Sequence, residues 1–429
     1  MKRRTNLPAI DFIKRTAAVF AAASVLVTTV SCSKRTDPVV IWTDNPEIVS
    51  YVELFNLSHD NEKAVVIYKE DPAHSLPPAK DEVQPDILIA PFLKNSGTRK
   101  YFTPLDYLIQ EKSISRASFY SKIIDYGVIN EKQYLIPLSF NLPAIVFNKK
   151  DEELIKTNHL LNIDQIRDLA GNFNKTYKSG AYSSMGYAPS WDTEFLYLVT
   201  KLNGTGYMEK GNSFTWNDEA LQSSIQKIKD WTSEKNTNTT SEQNFQFIYL
   251  YMPKYRQVTT DRCLFVYIPS DEFFTLTGTQ SAGLTFRWIE QDGTIPVEDD
   301  IVSIGLYKHS KNTSKAEEFI AWLINEGTQK QLIERTENMK LDTVNFGIAG
   351  GFSSLKVVNE KYYPNFYRQL LGNLPSEEYL SMPKILPHSW NNLKANVIIP
   401  YLTETTNTDS QKEPATLQER ISDWTKQFF

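Results

Sequence analysis

The stretch from Ile301 to Ile333 constrains the fold of this chain more than any other. Apolar residues alternate with small or polar ones through 302–307, which is the period of a β-strand. After a polar break, Ser314 and Glu317 have the spacing of a capping box, in which each side chain satisfies a free backbone N–H at a helix start. Apolar residues then recur on one helical face, at Ala316, Phe319, Ile320, Leu323 and Ile324. The stretch therefore predicts a strand, a loop and a helix, which is typical of an α/β protein.

Three short apolar runs near the start of the chain are spaced like the strands of a parallel sheet. They lie at 39–42, 64–68 and 85–90, and a helical apolar stripe separates the first two. This strand–helix–strand order predicts parallel pairing with right-handed crossovers. Because ligands of such sheets bind beyond the carboxyl ends of the strands, we expect ligand contacts from Asp44, Asn45 and Phe92. Helix capping and core packing are the alternative roles for these residues.

The length and the charge of the chain limit its class. A chain of 429 residues is too long for one ordinary core and favours two domains of roughly 200 residues each. The formal net charge of −5 becomes −9 when residues 1–31 are left out. An acidic chain without a basic stripe argues against nucleic acid as a partner.

Residues 1–31 have the pattern of a targeting segment. Basic residues open the segment, and a run of small and apolar residues from Thr16 to Val30 follows them. That run is too short to span a membrane as a helix. It ends just before Cys32, and the polar residues 33–38 complete a short tether at 32–38.

Five segments resemble, in the right order, the extracellular solute-binding proteins of bacterial ABC importers, in the group that includes the maltose-binding protein. They are IWTDN at 41–45, PDILIAPF at 85–92, FTPLDYLI at 102–109, the run from Tyr134 to Lys149 with its Ile-Pro and Phe-Asn-Lys motifs, and the stretch 301–333. The end of the targeting segment resembles a bacterial lipoprotein signal, in which a Cys in the position of Cys32 receives lipid.

The resemblance implies an α/β protein with the two-lobed, type II-like fold of periplasmic binding proteins. Each lobe would be a mainly parallel sheet flanked by helices, with the ligand cleft at the hinge. The first lobe would comprise 39–143 and 305–346, and the second lobe 144–304 and 347–429.

The implied function is that of a receptor rather than an enzyme. We expect it to capture a small solute, a sugar or oligosaccharide, and to deliver it to the permease subunits of an ABC transporter. A lipid on Cys32 would hold the monomer in the cell envelope, facing the periplasm or the exterior. No cofactor and no metal is implied.

A sugar-binding cleft needs aromatic faces together with a few fixed polar groups. Trp191 and Asp192 are adjacent in a predicted loop and supply both. Tyr267 and Phe352 offer further aromatic faces, and Asn141 lies where the resemblance places the first crossing between lobes. These residues join the three strand-end residues as ligand-binding candidates, with core packing as the alternative for the aromatic ones.

No catalytic constellation stands out, because the five histidines are scattered and no G-x-S-x-G or H-E-x-x-H motif occurs. Asp299 and Asp300 are adjacent, and since neighbours in sequence point apart we interpret them as a solvated surface pair. Two alternatives to the receptor stay open. A glycoside hydrolase requires two carboxylates about 5–10 Å apart across a cleft. A surface lipoprotein could instead use the same fold as an adhesin or sensor.

Four smaller features complete the predictions. The glycine-rich run 346–352 suits a further hinge crossing, because glycine accepts large changes of φ and ψ. The polar run 236–244 is predicted to be a surface loop. Trp42 and Cys263 lie in apolar runs and are expected to be buried.

Overall fold

The computed structural model describes residues 37–110, 114–157, 159–211, 213–339, 345–412 and 414–428. Residues 39–429 form one compact unit, distinct from residues 1–38. The predicted targeting segment and Cys32 lie outside the described residues, and so does most of the tether. In the part of the chain that the structure describes, no helix combines the length and the apolar character needed to cross a membrane.

The first sheet has six strands. In spatial order they are Phe352–Ser353, Leu135–Phe140, Val302–Leu306, Ile87–Ala90, Val39–Thr43 and Ala64–Tyr68. The strand Val39–Thr43 pairs in parallel with both of its neighbours, as predicted. The strand Val302–Leu306 runs antiparallel to both of its neighbours. This sheet and its helices are called the first lobe below.

The second sheet has four strands and is the base of the second lobe. In spatial order they are Phe265–Tyr267, Ala144–Asn148, Leu284–Glu290 and Leu160–Asn162. One of its three pairings is parallel and two are antiparallel. The prediction of mainly parallel sheets is therefore wrong for both lobes. The cause is topological, because strands that enter a sheet from the other lobe arrive antiparallel to their neighbours.

The chain passes between the sheets at two short segments. Residues 141–143 connect the strand Leu135–Phe140 to Ala144–Asn148, and residues 291–301 lead from Leu284–Glu290 back to Val302–Leu306. After the glycine-rich run the strand Phe352–Ser353 still belongs to the first sheet. The predicted boundaries of the two lobes stay a prediction.

Helices cover both sheets, and short strand pairs lie outside them. The helices are Ile48–Ser58, Asp106–Gln110, Ser121–Tyr126, Glu152–Ile155, Ile163–Phe173, Thr193–Leu202, Asp218–Lys235, Thr239–Ile248, Lys254–Thr259, Ser270–Phe273, Thr313–Leu323, Glu326–Met339, Tyr363–Phe366, Trp390–Leu393, Ile399–Thr405 and Leu417–Phe428. The short strand pairs are Val128–Ile129 with Lys132–Gln133, Lys175–Thr176 with Tyr182–Ser184, Met208–Lys210 with Ser213–Thr215, and Ile295–Pro296 with Leu380–Ser381.

Aromatic packing joins the two sheets on the side of the crossing segments. The ring of Phe352 in the first sheet lies 5.8 Å from that of Trp288 in the second, edge to face. Phe346 packs against Phe352 at 4.9 Å in the same way. Trp42 and Cys263 are buried, which confirms their predicted places in the core. This packing fixes the two sheets against each other on that side.

Two local predictions are wrong for identifiable reasons. Ser314 and Glu317 do not form the capping box, because the helix Thr313–Leu323 begins one residue before Ser314 and Glu317 accepts the hydroxyl of Tyr107 at 2.5 Å. The loop predicted at 236–244 is also wrong from residue 239 onward, where a helix begins. Asn238 caps the helix Thr239–Ile248 by accepting the N–H of Ser241 at 2.8 Å.

Candidate functional site

A cavity of about 240 Å³ lies where the two crossing segments meet both lobes. Its walls carry six acidic side chains, one lysine, three aromatic rings and two asparagines. The lining residues are Phe92, Asn141, Glu194, Tyr267, Pro269, Asp271, Glu272, Glu298, Asp299, Asp300, Trp390, Asn391 and Lys394. Phe92 follows a strand of the first sheet and Tyr267 ends a strand of the second, so the cavity lies beyond strand ends, where such sheets bind ligands.

A larger cavity of about 560 Å³ lies elsewhere, and its described lining includes residues of the stretch 273–282, Ile333, Thr336, Asn345, Gly347 and residues 366–369. Among its described lining residues, Arg368 is the one charged side chain, and none directly follows a sheet strand. The smaller cavity is the better candidate site, because it joins both lobes and gathers fixed charges.

Asp299 is the structural anchor of the cavity wall. Its carboxylate accepts hydrogen bonds from Lys201 Nζ at 2.7 Å, from the hydroxyl of Tyr197 at 2.6 Å and from Trp390 Nε1 at 3.2 Å. Burial alone would raise the pKa of Asp299, but the attraction of Lys201 and Lys394 outweighs it, so the pKa is lowered. Asp299 is therefore an ionised, fully satisfied group that fixes the second crossing segment against the second lobe.

Three other acidic groups of the cavity, Glu298, Asp271 and Asp300, have raised pKa values instead. Burial raises the pKa of Glu298 to about 7 against the attraction of Lys201 and Lys394. Burial with the charges of Asp300 and Glu272 raises the pKa of Asp271 to about 6. Burial and the charge of Asp299 raise the pKa of Asp300, whose side chain is exposed to the cavity. Asp44, in the first lobe, has its pKa raised to about 6 by burial and by the charges of Asp71 and Asp300. Carboxylates from both lobes thus repel one another around Asp300.

The aromatic walls come from three parts of the chain. Phe92 has a left-handed backbone, with φ of 55°, and packs against the core of the second lobe although it belongs to the first. The hydroxyl of Tyr267 donates to Glu298 Oε1 at 3.2 Å. Trp390 is buried and is held by its bond to Asp299. All three rings are buried and form part of the cavity wall.

Asn141 is fixed from both sides in the first crossing segment. Its Nδ2 donates to the carbonyl of Gly350 at 3.0 Å, and its Oδ1 accepts the hydroxyl of Ser270 at 2.7 Å. It also lines the cavity. Three of the eight predicted ligand-binding residues, Phe92, Asn141 and Tyr267, thus line one cavity, and Asp44 lies within electrostatic reach of it.

Trp191 and Asp192 do not line the cavity. Trp191 stacks on Phe245 with ring centroids 5.5 Å apart, and its Nε1 donates to the carbonyl of Glu242 at 3.0 Å. Asp192 caps the helix Thr193–Leu202 and pairs with Lys254 at 2.5 Å. Both side chains therefore have structural partners in the second lobe.

Asn45 and Phe352 also have structural partners. Asn45 Nδ2 donates to the carbonyl of Ala349 at 3.1 Å, which ties the loop after the first strand to the glycine-rich run. Phe352 is buried in the aromatic packing that joins the sheets. Neither residue lines the cavity. Their roles as ligand contacts stay predictions.

Sequence reasoning missed several lining residues and placed one of them wrongly. The prediction of a solvated pair is wrong for Asp299, which is buried, whereas Asp300 is exposed as predicted; both line the cavity. Asp271, Trp390 and Lys394 were not candidates at all. Asp271 could have been found from its position, because it follows the strand that ends at Tyr267. Trp390 and Lys394 lie far along the chain, and no sequence signal points to them.

Among the described residues, no group of three or more His, Cys, Asp or Glu side chains is placed to hold a metal ion. The acidic residues of the cavity come from three segments of the chain, at residue 194, at 271–272 and at 298–300. Such an arrangement can contact several atoms of an organic ligand at once.

No protein-family model matches the chain, and no curated protein matches its sequence. Solved structures do match. The GacH receptor of Streptomyces glaucescens, solved unliganded and with acarbose, is 14% identical with a TM-score of 0.60, over 91% of this chain and 97% of that one.

Two further structures are similar to the same extent. An ABC substrate-binding protein from Listeria monocytogenes, in complex with cycloalternan, is 13% identical with a TM-score of 0.59, over 91% and 98% of the two chains. The galacto-N-biose-/lacto-N-biose I-binding protein of the ABC transporter from Bifidobacterium longum is 13% identical with a TM-score of 0.58, over 92% and 98%. These similarities confirm the predicted two-lobed binding-protein fold.

Proposed function

We propose that this protein is an extracytoplasmic receptor that captures a small solute, a sugar or oligosaccharide, between its two lobes. The observation that carries the proposal is the cavity at the crossing segments, which is lined by both lobes of a binding-protein fold. Proteins of the same fold are described in complex with acarbose, cycloalternan and lacto-N-biose. Aromatic walls and fixed polar groups in the cavity suit the C–H faces and hydroxyls of a sugar ring.

Closure of the lobes over the solute would couple binding to delivery. A ligand that contacts both lobes binds the closed state more tightly than the open one and shifts the population toward it. The closed form would then dock on the permease subunits of an ABC transporter. A lipid on Cys32 would keep the receptor, as a monomer, at the membrane of the cell envelope.

The receptor proposal is tested by thermal unfolding of the full chain against a panel of sugars, polyols, amino acids and polyamines. A ligand present at 100 times its Kd stabilises the folded state by about 2.7 kcal/mol. The proposal expects a clear rise of Tm with one class of saccharide and no consumption of that saccharide by chromatography. Hydrolysis of the saccharide would favour the glycoside hydrolase, and no rise with any saccharide would favour the adhesin or sensor.

The lipid anchor is tested separately. In a bacterial lipoprotein system, the chain should gain the mass of a lipid and partition with membranes, and Cys32→Ser should abolish both. Solute binding by the Cys32→Ser chain should be unchanged, because the cavity is formed within residues 39–429.

A further inference from the structure

A cluster of apolar side chains is exposed to solvent at the end of the helix Thr239–Ile248 in the second lobe. Its members are Phe247, Ile248, Leu250 and Tyr251, whose surfaces are 75%, 66%, 56% and 96% exposed. These residues, within the segment 247–251, are called the apolar tip below. Single exposed apolar residues are normal on a protein surface, whereas a contiguous cluster marks a surface that contacts a protein or a membrane.

The apolar tip is held in place by a buried aromatic base. Phe245 is buried, stacks on Trp191 with ring centroids 5.5 Å apart, and packs against the ring of Tyr249 at 5.1 Å. The chain then turns, because the backbone N–H of Met252 donates to the carbonyl of Tyr249 at 2.8 Å. A surface that is already ordered has little conformational entropy to lose when it binds.

The chain around the apolar tip lacks negative charge, although the whole chain has a formal net charge of −5. Residues 243–260 include no Asp or Glu, and the basic residues Lys254 and Arg256 follow the tip. Asp192, which contacts Lys254, is neutralised by that ion pair. The guanidinium of Arg262 lies 5.6 Å over a ring of the aromatic base. An apolar tip backed by cations complements an anionic lipid bilayer, whose headgroups attract the cations while its acyl region takes up the apolar side chains.

The proposed lipid anchor would bring a bilayer within reach of the tip. Seven residues separate Cys32 from Val39, where the first strand begins, and a chain of that length spans at most about 25 Å. A lipid on Cys32 would therefore keep the folded unit beside the membrane. Because the tether makes a second contact intramolecular, even weak insertion of the tip would then be effective.

We propose that the apolar tip is a membrane-contact site, which inserts into the interfacial region of an anionic lipid bilayer. The inference rests on the proposed lipid-anchored receptor and adds a second, non-covalent contact with the membrane. Phe247, Ile248 and Leu250 would enter the acyl boundary. Tyr251 would lie at the level of the headgroups, with its ring against the acyl chains and its hydroxyl in water. The second lobe would thereby be held at the membrane in which the permease subunits lie.

Spin labels test the insertion directly. The chain 33–429 contains the whole compact unit and lacks the targeting segment and Cys32, and its remaining Cys263 is buried. A nitroxide is placed at Tyr251→Cys and, as the matched control, at Leu57→Cys, a side chain 74% exposed on a helix of the first lobe. With vesicles of equimolar phosphatidylcholine and phosphatidylglycerol, the label at 251 should gain contact with oxygen and lose contact with a dissolved nickel chelate. The label at 57 should keep its solution values.

Substitutions show whether the tip causes the binding. Phe247→Ser combined with Tyr251→Ser should lower the partition coefficient of the chain 33–429 into the same vesicles at least tenfold. Val49→Ser combined with Leu57→Ser removes two exposed apolar side chains from the first lobe and should leave the partition coefficient unchanged. The Tm of the tip variant should stay within a few degrees of the original, because both side chains are exposed, and this result shows that the variant folds.

The outcomes separate this inference from the receptor and the anchor, which saccharide binding and Cys32→Ser test independently. Absence of partitioning, or equal partitioning of the two double variants, overturns the inference and leaves both proposals standing. A dimer that forms without vesicles and is lost in the tip variant would assign the tip to a second copy of the chain. Binding to native membranes alone, and not to lipid vesicles, would assign it to a membrane protein. Either result overturns the inference, whereas shielding of the label at 251 together with loss of partitioning in the tip variant supports it.

Discussion

Nδ1 of His74 lies 3.3 Å from Nδ1 of His388, and the two residues belong to different lobes. Beside them, Glu209 of the second lobe accepts hydrogen bonds from the backbone N–H of Ser96 at 3.0 Å and from its hydroxyl at 2.8 Å. These contacts hold the lobes together in the structure. The contact between His74 and His388 depends on histidine, which is the residue type that titrates near neutral pH.

The histidine pair should make contact between the lobes sensitive to pH. Burial, followed by the charge of His74, lowers the pKa of His388 below 6.5, while Asp71 and Glu209 act in the opposite direction. A base whose pKa is lower in the closed than in the open state stabilises closure above its open-state pKa. That stabilisation is lost as pH falls below about 6.5. The radius of gyration of the ligand-free chain, measured by small-angle scattering, should therefore rise as the pH falls from 7.5 to 5.5. The rise should be larger than that of the His388→Gln variant.

The comparison with His388→Gln is needed because Asp44 and Glu298 become protonated over the same range, which reduces repulsion and favours closure. His309→Gln, a surface histidine, should behave like the unsubstituted chain. Identical pH profiles for the unsubstituted chain and His388→Gln would contradict the role of the pair.

Breaking the buried pair of Lys201 and Asp299 should destabilise the protein strongly. Their side chains are 14% and 7% exposed and lie 2.7 Å apart. Lys201→Met would leave a buried carboxylate without its partner, which typically costs about 3–5 kcal/mol. The exposed pair of Lys426 and Asp423 is the control, and Lys426→Met should cost less than about 1 kcal/mol. Chemical unfolding measures both, and equal losses would refute the structural role of Asp299.

Gly347→Ala should be much more damaging than Gly180→Ala. Both glycines have positive φ, 62° and 86°. An added Cβ at Gly347 would lie 2.3 Å from the carbonyl oxygen of Gly351 and 2.3 Å from the hydroxyl of Tyr363, whereas at Gly180 it meets no atom within 4 Å. Gly180→Ala should therefore cost only the conformational penalty of about 1–2 kcal/mol. Thermal unfolding should show a larger loss of stability for Gly347→Ala than for Gly180→Ala. Similar losses would contradict the close packing of atoms around Gly347.

Trp191→Phe should lower stability and leave solute affinity within about twofold. Its indole N–H bond to Glu242 contributes roughly 0.5–1.5 kcal/mol, and the ring does not line the cavity. Trp390→Phe removes the bond to Asp299 in the cavity wall and should weaken binding several-fold. Titration of both variants with the same saccharide checks this contrast. A stronger loss of affinity in Trp191→Phe than in Trp390→Phe would indicate that the solute binds at the loop around residue 191.

The strands and the large helices could be predicted from the sequence because their signals are local. Alternation through 302–307 and the apolar runs at 39–42 and 85–90 each give a strand near the expected place. The helix Thr239–Ile248 was missed because capping by Asn238 outweighs the low helix propensity of a run rich in Asn, Thr and Ser.

The site could be predicted only in part, because its residues meet through the tertiary fold. Phe92 was found from its place at a strand end and Tyr267 from its aromatic ring, and both line the cavity. Trp191 and Asp192 look like a sugar platform in sequence, but Phe245 and Lys254 already occupy their binding surfaces. Trp390 lies 298 residues after Phe92 in the chain, and no sequence spacing indicates that the two share a cavity.

The distance between the lobes with and without solute tests the central claim most directly. Nitroxide labels on Asp60→Cys and Ser223→Cys, both exposed and on different lobes, can be placed in a Cys32→Ser background, since Cys263 is buried. The distance between the labels is measured by pulsed electron paramagnetic resonance. Receptor closure predicts long or broadly distributed distances without solute and a single shorter distance at saturating saccharide. A distribution that does not change with a saccharide that binds by calorimetry would contradict capture between the lobes.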